Sequence, residues 1–458
     1  MNYLSIEEIV VACNGKLLCG DKTQLVTGFC RDSREIKPGD IYVGIKGENF
    51  DGSVYYKQAL ENGAIGCIIE EHYEKNIDTK YVHNIIIVKD SIKALQDIAT
   101  YRRNQYNIPV VAVTGSVGKT STKDIIANTL AQKYNVLKTE GNKNNHIGLP
   151  LTILELKNQE IITVEMGMNH LGEISVLTNI AKPSICVITN VGTAHIGNLG
   201  SRENILKAKL EIIEGMDENG VIVINNDNDL LHKWAQENKQ NYNIITYGIQ
   251  NSSDYMAHNI KEKETSVEYD IKLKGENYKI TVPVSGEPFV YNSLCAIAVA
   301  EVCNIEIKEA IKGIANFELT KKRMEIIKKD GITIINDSYN ASYDSMKAAL
   351  EYIKLTTGSR KVAVLGDMLE LGDFEQELHE KVGEEVAKNK IDILITIGQR
   401  AKYIAEKAKE LGIAEVYSYT NNLEATKEIK TMLKEGDTIL FKASNSMKLS
   451  EIINEICQ

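Results

Sequence analysis

The chain has 458 residues, 43% of them hydrophobic and 25% charged, the balance of a soluble globular protein; roughly 150 residues per domain predicts about three domains. The formal net charge of −10 argues against a general nucleic-acid or anionic-membrane binder. No apolar run approaches the ~20 residues that span a bilayer.

The opening MNYLSIEEIVVACNGK places Glu7 and Glu8 where a secretory leader needs its apolar segment, so a cytoplasmic protein is expected. The eight cysteines (13, 19, 30, 67, 186, 295, 303 and 457) contain no CxxC pair and no Cys/His spacing suited to zinc. Free thiols, mostly buried, are the expectation.

Residues 1–90 mix short strands (DIYVGI, GCIIE, NIIIV) with an amphipathic helix near 54–63. SIKALQDIATYRRNQYN reads as a helix with Ser91 as its N-cap, bridging into a second unit. From Pro109, the apolar runs VVAVTG, IITVEMG and ICVITNVG alternate with helical segments, which predicts a mostly parallel sheet covered by helices. Residues 254–284 alternate polar and apolar, predicting an antiparallel patch at one sheet edge. After about residue 320 the strands GITIIND, KVAVLGD, IDILITIG and DTILFKAS begin a second α/β series without a GxGxxG. The expected fold class is α/β in three domains: a small N-terminal α/β domain over 1–90, a central P-loop ATPase-like domain over 91–320, and a Rossmann-like domain over 321–458.

In Gly115–Ser116–Val117–Gly118–Lys119–Thr120–Ser121, glycines let the backbone curl so that several N–H groups face one point, and the helix that follows adds its positive end. Lys119 supplies a point charge for β/γ-phosphates and Thr120 a hydroxyl for Mg²⁺. The glycines are three apart, so this is a shortened GxxGKT[ST] variant of the phosphate loop. Glu165 ends the strand IITVE, where an open α/β sheet gathers its site, and is an oxygen donor suited to Mg²⁺. His195 follows ICVITNVGTAH in the same manner; a lone histidine there is either structural or functional. By spacing, Lys209 in SRENILKAKLEIIE is an ordinary surface lysine on a helix beginning near Ser201.

The motifs TGSVGKTS, TEGNKNNHIGLPLT, VEMGMNHLGEI, NVGTAHIGNLGSRENILKAKLEI, NDSYNASYDSM and VLGDMLELGDFEQELH occur in this order, and together they resemble the Mur ligase family of peptidoglycan synthesis. The likeness runs from DSREIKPGDIYVGIKGENFDG to KASNSMKLSEI, nearly the whole chain. It implies an N-terminal domain for a UDP-sugar substrate, a central ATP-binding domain, and a C-terminal domain that closes over the nucleotide. The implied reaction joins D-alanyl-D-alanine to UDP-N-acetylmuramoyl-tripeptide through an acyl phosphate, in the cytoplasm, with no nucleic acid or membrane as partner. A monomer is expected.

The resemblance also implies site residues. Thr120 and Glu165 hold one Mg²⁺, His195 contacts a second, and Lys209 matches a lysine that the family carbamylates, which turns a cation into a carboxylate ligand. Asn292, Arg323 and Asp337 match nucleotide contacts. Ser33 and Arg34 match residues that hold the UDP part; Asn142, Asn144, Asn145 and Asn340 match residues facing the peptide substrates.

The chain departs from the family at Pro288, often histidine, and at Lys322, commonly glycine. KASNS replaces a lysine–glycine–serine–arginine run, and Ser342–Tyr343 stands where Asn–Pro is usual. A member that adds the third amino acid would carry a DNPR-type sequence, absent here. The UDP-sugar-like N-terminal segment argues against folylpolyglutamate synthases. The rival from another class is a nucleotide-dependent switch, which needs a loop that senses the γ-phosphate and a surface for its partner but no acyl acceptor site.

Overall fold

Uninterrupted β-branched runs can be buried on both faces only inside a sheet covered by helices. The computed structural model describes residues 3–78 and 83–458, and among these the runs form three main sheets. The first has the order Lys16–Cys19, Asn84–Val88, Gly66–Glu70, Asp40–Val43, Gly28–Cys30, antiparallel only at its first pairing. The helix expected near 54–63 is a 3-10 turn, Gly52–Tyr55, running into an α-helix, Tyr56–Glu61, with Asp51 capping the turn through Ser53 N–H at 2.9 Å.

The helix Ser91–Asn104 corrects one expectation: Asp90, not Ser91, is its N-cap, accepting from Lys93 N–H at 2.8 Å. Asp90 has the extended backbone of a cap, φ −140° and ψ 117°, whereas Ser91 is already helical. Ser91 is the first helical residue, and its hydroxyl donates to Glu70 at 2.8 Å. Two buried arginines in the last turn fix this helix to the central layer. Arg103 donates to the carbonyls of Ala181 and Ile108, and Arg102 to that of Leu156.

The central sheet runs Glu276–Val282, Val267–Leu273, Tyr255–Glu262, Asn243–Gly248, Val221–Asn225, Ile185–Ile188, Val110–Thr114, Ile161–Glu165, Val136–Lys138. Its last seven strands are parallel, and the first two pairings are antiparallel, the edge patch that the alternation predicts. Val110–Thr114 lies between Ile185–Ile188 and Ile161–Glu165, so strand order reverses around it, and a crevice opens at the carboxyl ends. The helix Glu287–Val302 is apolar on nearly every side and packs as a buried rod against the helix Lys119–Leu130.

The third sheet runs Glu325–Lys329, Ile332–Asn336, Asp437–Lys442, Arg360–Gly366, Ile393–Ile397, Glu415–Tyr419, parallel except at the first pairing. Both edge strands escaped the sequence reading because EIIKK and EVYSY mix charge or hydroxyls into half-exposed positions. All eight cysteines are free, five of them buried. Among the described residues no helix is long and apolar enough to cross a membrane.

Candidate active site

The phosphate loop leaves Val110–Thr114 and enters the helix Lys119–Leu130. Gly118 is the helix N-cap at φ 84°, and a Cβ on Gly115 would lie 1.9 Å from Thr189 Oγ1, so both positions require glycine. The end of the neighbouring strand clamps the loop. Asn190 Oδ1 accepts from Val117 N–H and its Nδ2 donates to Val117 O, both at 2.9 Å, while Ser116 N–H donates to Asn190 O at 3.0 Å. Sequence reasoning passed over Asn190; its place at a strand end, five residues before His195 in NVGTAH, was the available signal.

Lys119 Nζ donates back to Gly115 O at 2.8 Å. Burial lowers its pKa, and Glu165 opposes that shift. Thr120 Oγ1 donates to Glu165 Oε2 at 2.8 Å, and Asn144 Nδ2 donates to Glu165 Oε1 at 2.7 Å. From the C-terminal side Arg323 donates to Thr120 Oγ1 at 3.2 Å, its guanidinium stacked 3.7 Å from the centre of the Tyr339 ring. His195 sits at φ 65° with Nδ1 2.6 Å from Glu370 Oε2. Asp344 Oδ2 accepts from both Thr193 N–H and its hydroxyl, at 2.7 and 2.8 Å.

These groups surround a cavity of about 530 Å³ between the central and third sheets, lined by Ser116–Thr120, Asn144, Asn145, Glu165, His195, Arg323 and Asn340 among others. Tyr339, Glu370 and the Ser444–Ser446 turn also line it. Those residues escaped the sequence reading because only tertiary folding brings them to the loop.

Of the other expected site residues, Ser33, Arg34, Asn142, Asn292 and Asp337 lie off the cavity lining. Ser33 Oγ donates to Gln58, and Arg34 makes a two-point pair with Asp32 at 2.6 and 2.8 Å, both in the first sheet's layer. Asn142 is exposed. Asn145 lines the cavity, and its Oδ1 accepts from the N–H of Gly148, the first residue of the helix Gly148–Leu154, at 2.9 Å. Asn292 is no helix-surface residue: it is buried, accepting from Thr122 Oγ1 at 2.9 Å. Asp337 is buried in an ion pair with Lys442 and accepts from Met324 N–H at 3.2 Å.

Lys209 corrects the spacing argument most sharply. It is 1% exposed, and it makes no hydrogen bond or ion pair among the described residues. Ile205, Ala208 and Lys209 share the inward stripe with Ile212. A lysine on that i, i+3, i+4, i+7 pattern was the missed signal. Burial, then the charge of Lys119, holds its amine well below the ordinary lysine range.

The departures also acquire physical reasons. Lys322 adopts φ 62°, a left-handed conformation that glycine enters freely. Ser342 is the N-cap of the helix Tyr343–Lys354 and forms a capping box with Ser345, so Ser–Tyr starts the helix as Asn–Pro would. Pro288 lies in the first turn of Glu287–Val302, where its missing N–H costs nothing.

Three family models match the chain: "Mur ligase family, catalytic domain" over residues 26–113, "Mur ligase middle domain" over 113–300, and "Mur ligase, glutamate ligase domain" over 322–445. The UDP-N-acetylmuramoyl-tripeptide–D-alanyl-D-alanine ligase of Bacillus subtilis (strain 168) is 39% identical over 95% of this chain and 94% of its own length. The ligase of the same name from Escherichia coli (strain K12) is 30% identical, covering 100% and 99%. Among solved structures, MurF from Acinetobacter baumannii matches with TM-score 0.89 at 28% identity, covering 100% of this chain and 99% of that one. MurF from Thermotoga maritima in complex with ADP matches with TM-score 0.81 at 30% identity, covering 94% and 97%.

Fold and site together define an ATP-dependent ligase of the three-domain α/β type. The chain belongs to the Mur ligase family.

Proposed function

We propose that the protein joins D-alanyl-D-alanine to UDP-N-acetylmuramoyl-tripeptide at the expense of ATP, the substrates named for its Bacillus subtilis and Escherichia coli relatives. Residues 1–90 bind the UDP-sugar through Ser33 and Arg34, 91–320 bind the nucleotide, and 321–458 close over it. The observation that carries this reading is one cavity faced at once by the phosphate loop, by Glu165 and His195, and by Arg323 and Asn340 from the third sheet's side.

A carboxylate oxygen of the tripeptide attacks the γ-phosphorus of ATP and ADP leaves, giving an acyl phosphate. The dipeptide amine then attacks the acyl carbon, loses a proton, and orthophosphate departs carrying that carboxylate oxygen. Two anions must meet in the first step, so cationic groups have to offset their repulsion. Lys119 and the loop N–H groups bind the phosphates, with Arg323, Asn292 and Asp337 serving the nucleotide. Asn142, Asn144, Asn145 and Asn340 orient the peptide substrates.

The donor set fits Mg²⁺. Among the described residues no group of three or more His, Cys, Asp or Glu side chains is gathered for a metal, and Mg²⁺ is ordinarily held by one or two carboxylates plus substrate phosphates. Thr120 and Glu165 would hold one ion and His195 a second, and the ions when bound supply the remaining charge neutralisation. Lys209 is carbamylated in the working enzyme. Its neutral amine adds to carbon dioxide and releases a proton, leaving a carboxylate for the metal. A buried, unpaired amine with a depressed pKa supports this, since only the neutral form is nucleophilic. A cytoplasmic setting fits the free thiols.

Mass-spectrometric assay of purified protein with ATP, Mg²⁺ and D-alanyl-D-alanine tests the proposal, using tripeptides ending in lysine or in diaminopimelate. A product heavier by one dipeptide residue, formed only when all components are present, is expected with one or both. ATP hydrolysis that ignores both acceptor and tripeptide would overturn it.

A further inference from the structure

Asp124 lies one helical turn beyond Thr120, on the same face of the helix Lys119–Leu130. It is buried, as is Lys123 beside it. Asp124 Oδ1 accepts from Lys123 Nζ at 2.6 Å and from Lys138 Nζ at 3.2 Å, while Oδ2 accepts from the hydroxyl of Thr320 at 2.7 Å. Thr320 belongs to the segment joining the helix Ile307–Ala315 to the strand Glu325–Lys329, the connection between the central and third sheets. Three residues on, Arg323 N–H donates to Thr320 O at 3.2 Å, and the Arg323 side chain reaches Thr120 Oγ1.

The connection is therefore stapled to the phosphate-loop helix twice, through Thr320 at Asp124 and through Arg323 at Thr120. A second path closes the circuit. Lys123 Nζ also donates to Thr139 O at 2.7 Å, Thr139 Oγ1 accepts from Glu165 N–H at 3.0 Å, and Glu165 takes the Thr120 hydroxyl. Lys322 and Met324, on either side of Arg323, both have positive φ, 62° and 52°. Side chains resist that conformation, so something must hold the segment in it.

We propose that Asp124 and Thr320 are positioning residues for nucleotide use: their hydrogen bond pins the inter-sheet connection so that Arg323 is delivered to the phosphate site. The proposal rests on the reading of Arg323 as a nucleotide contact. The acceptor is an ionised carboxylate, which makes the hydrogen bond a strong one, and its second oxygen is held by two lysines, so the pin has a rigid base. Thr320 itself is exposed, and its truncation opens no cavity.

Steady-state kinetics of Thr320→Val, Thr320→Ser, Arg323→Ala and the Thr320→Val/Arg323→Ala double variant test this, with calorimetric binding of a non-hydrolysable ATP analogue. Thr320→Val is expected to raise KM for ATP about tenfold, equivalent to ~1.4 kcal/mol, with kcat within about twofold and the other two KM values unmoved. Thr320→Ser keeps the hydroxyl and restores KM. In the Arg323→Ala background Thr320→Val has no further effect, because it acts only through Arg323. An unchanged KM in Thr320→Val, or an equal tenfold cost in both backgrounds, would overturn the pin while leaving the nucleotide reading intact. Failure of the wild-type protein to bind the analogue would overturn both.

Discussion

Glu370 Oε2 lies 2.6 Å from His195 Nδ1, although 175 residues separate them in sequence. Glu370 itself sits at φ 62°, and its carbonyl accepts from Gly197 N–H at 3.0 Å. The third sheet's layer thus presses one loop onto the loop that carries His195, and a Cβ on Gly197 would meet Gly372 N at 2.4 Å. A carboxylate on one ring nitrogen fixes the ring's orientation and leaves Nε2 as the working atom.

Glu370→Ala is therefore expected to lower kcat/KM by about 10–100-fold, the usual cost of losing such an orienting partner. Glu370→Gln, which keeps an acceptor oxygen, should fall less. Steady-state assays with all three substrates check this; equal loss in both variants would mean that charge, not orientation, matters.

Lys209→Met should abolish ligation yet stabilise the metal-free protein by about 1–3 kcal/mol, because an apolar chain replaces a buried amine without a partner. Denaturant unfolding read beside the activity assay tests it. A destabilised variant would show that the amine has a stabilising role.

Legibility in the sequence followed range. Thr120 and Glu165 were readable because loop chemistry and strand ends are local signals, and the antiparallel edge patch followed from alternation alone. Asp90 displaced Ser91 as a cap because two adjacent capping residues compete and only the backbone decides between them. Spacing alone put Lys209 on the surface because a helix stripe is judged by apolar residues, and a lysine inside it looks like the stripe's edge. Tyr339, Asp344 and Glu370 were invisible as site residues, since each reaches the phosphate-loop side only through packing between sheets.

His379 is fully buried and uses both ring nitrogens: Nδ1 donates to Glu375 O and Nε2 accepts from Met368 N–H at 3.0 Å. Burial pushes its pKa below the usual 6.5. Between that depressed value and 6.5 the unfolded chain binds more protons than the folded one, so stability falls as pH drops through this window. Met368 lies two residues before Glu370, which ties the effect to the site. Thermal unfolding between about pH 7 and pH 5 should show a decline that His379→Gln flattens. An unaltered slope would exclude His379 as the source.

Lys322→Gly should raise stability by about 0.5–1 kcal/mol, the relief of a left-handed lysine less the added flexibility of glycine. The backbone N–H of residue 322 keeps its bond to Glu325 Oε2 at 3.0 Å, so the turn survives. A lower unfolding midpoint would contradict this.

Phosphorylation of the tripeptide carboxylate before the amide forms is the central step. The direct measurement is ligation with UDP-N-acetylmuramoyl-tripeptide whose terminal carboxylate carries heavy-isotope oxygen, followed by mass analysis of the orthophosphate. Each orthophosphate is expected to gain one labelled atom whenever both carboxylate oxygens are labelled. Orthophosphate free of label, alongside normal product, would contradict it.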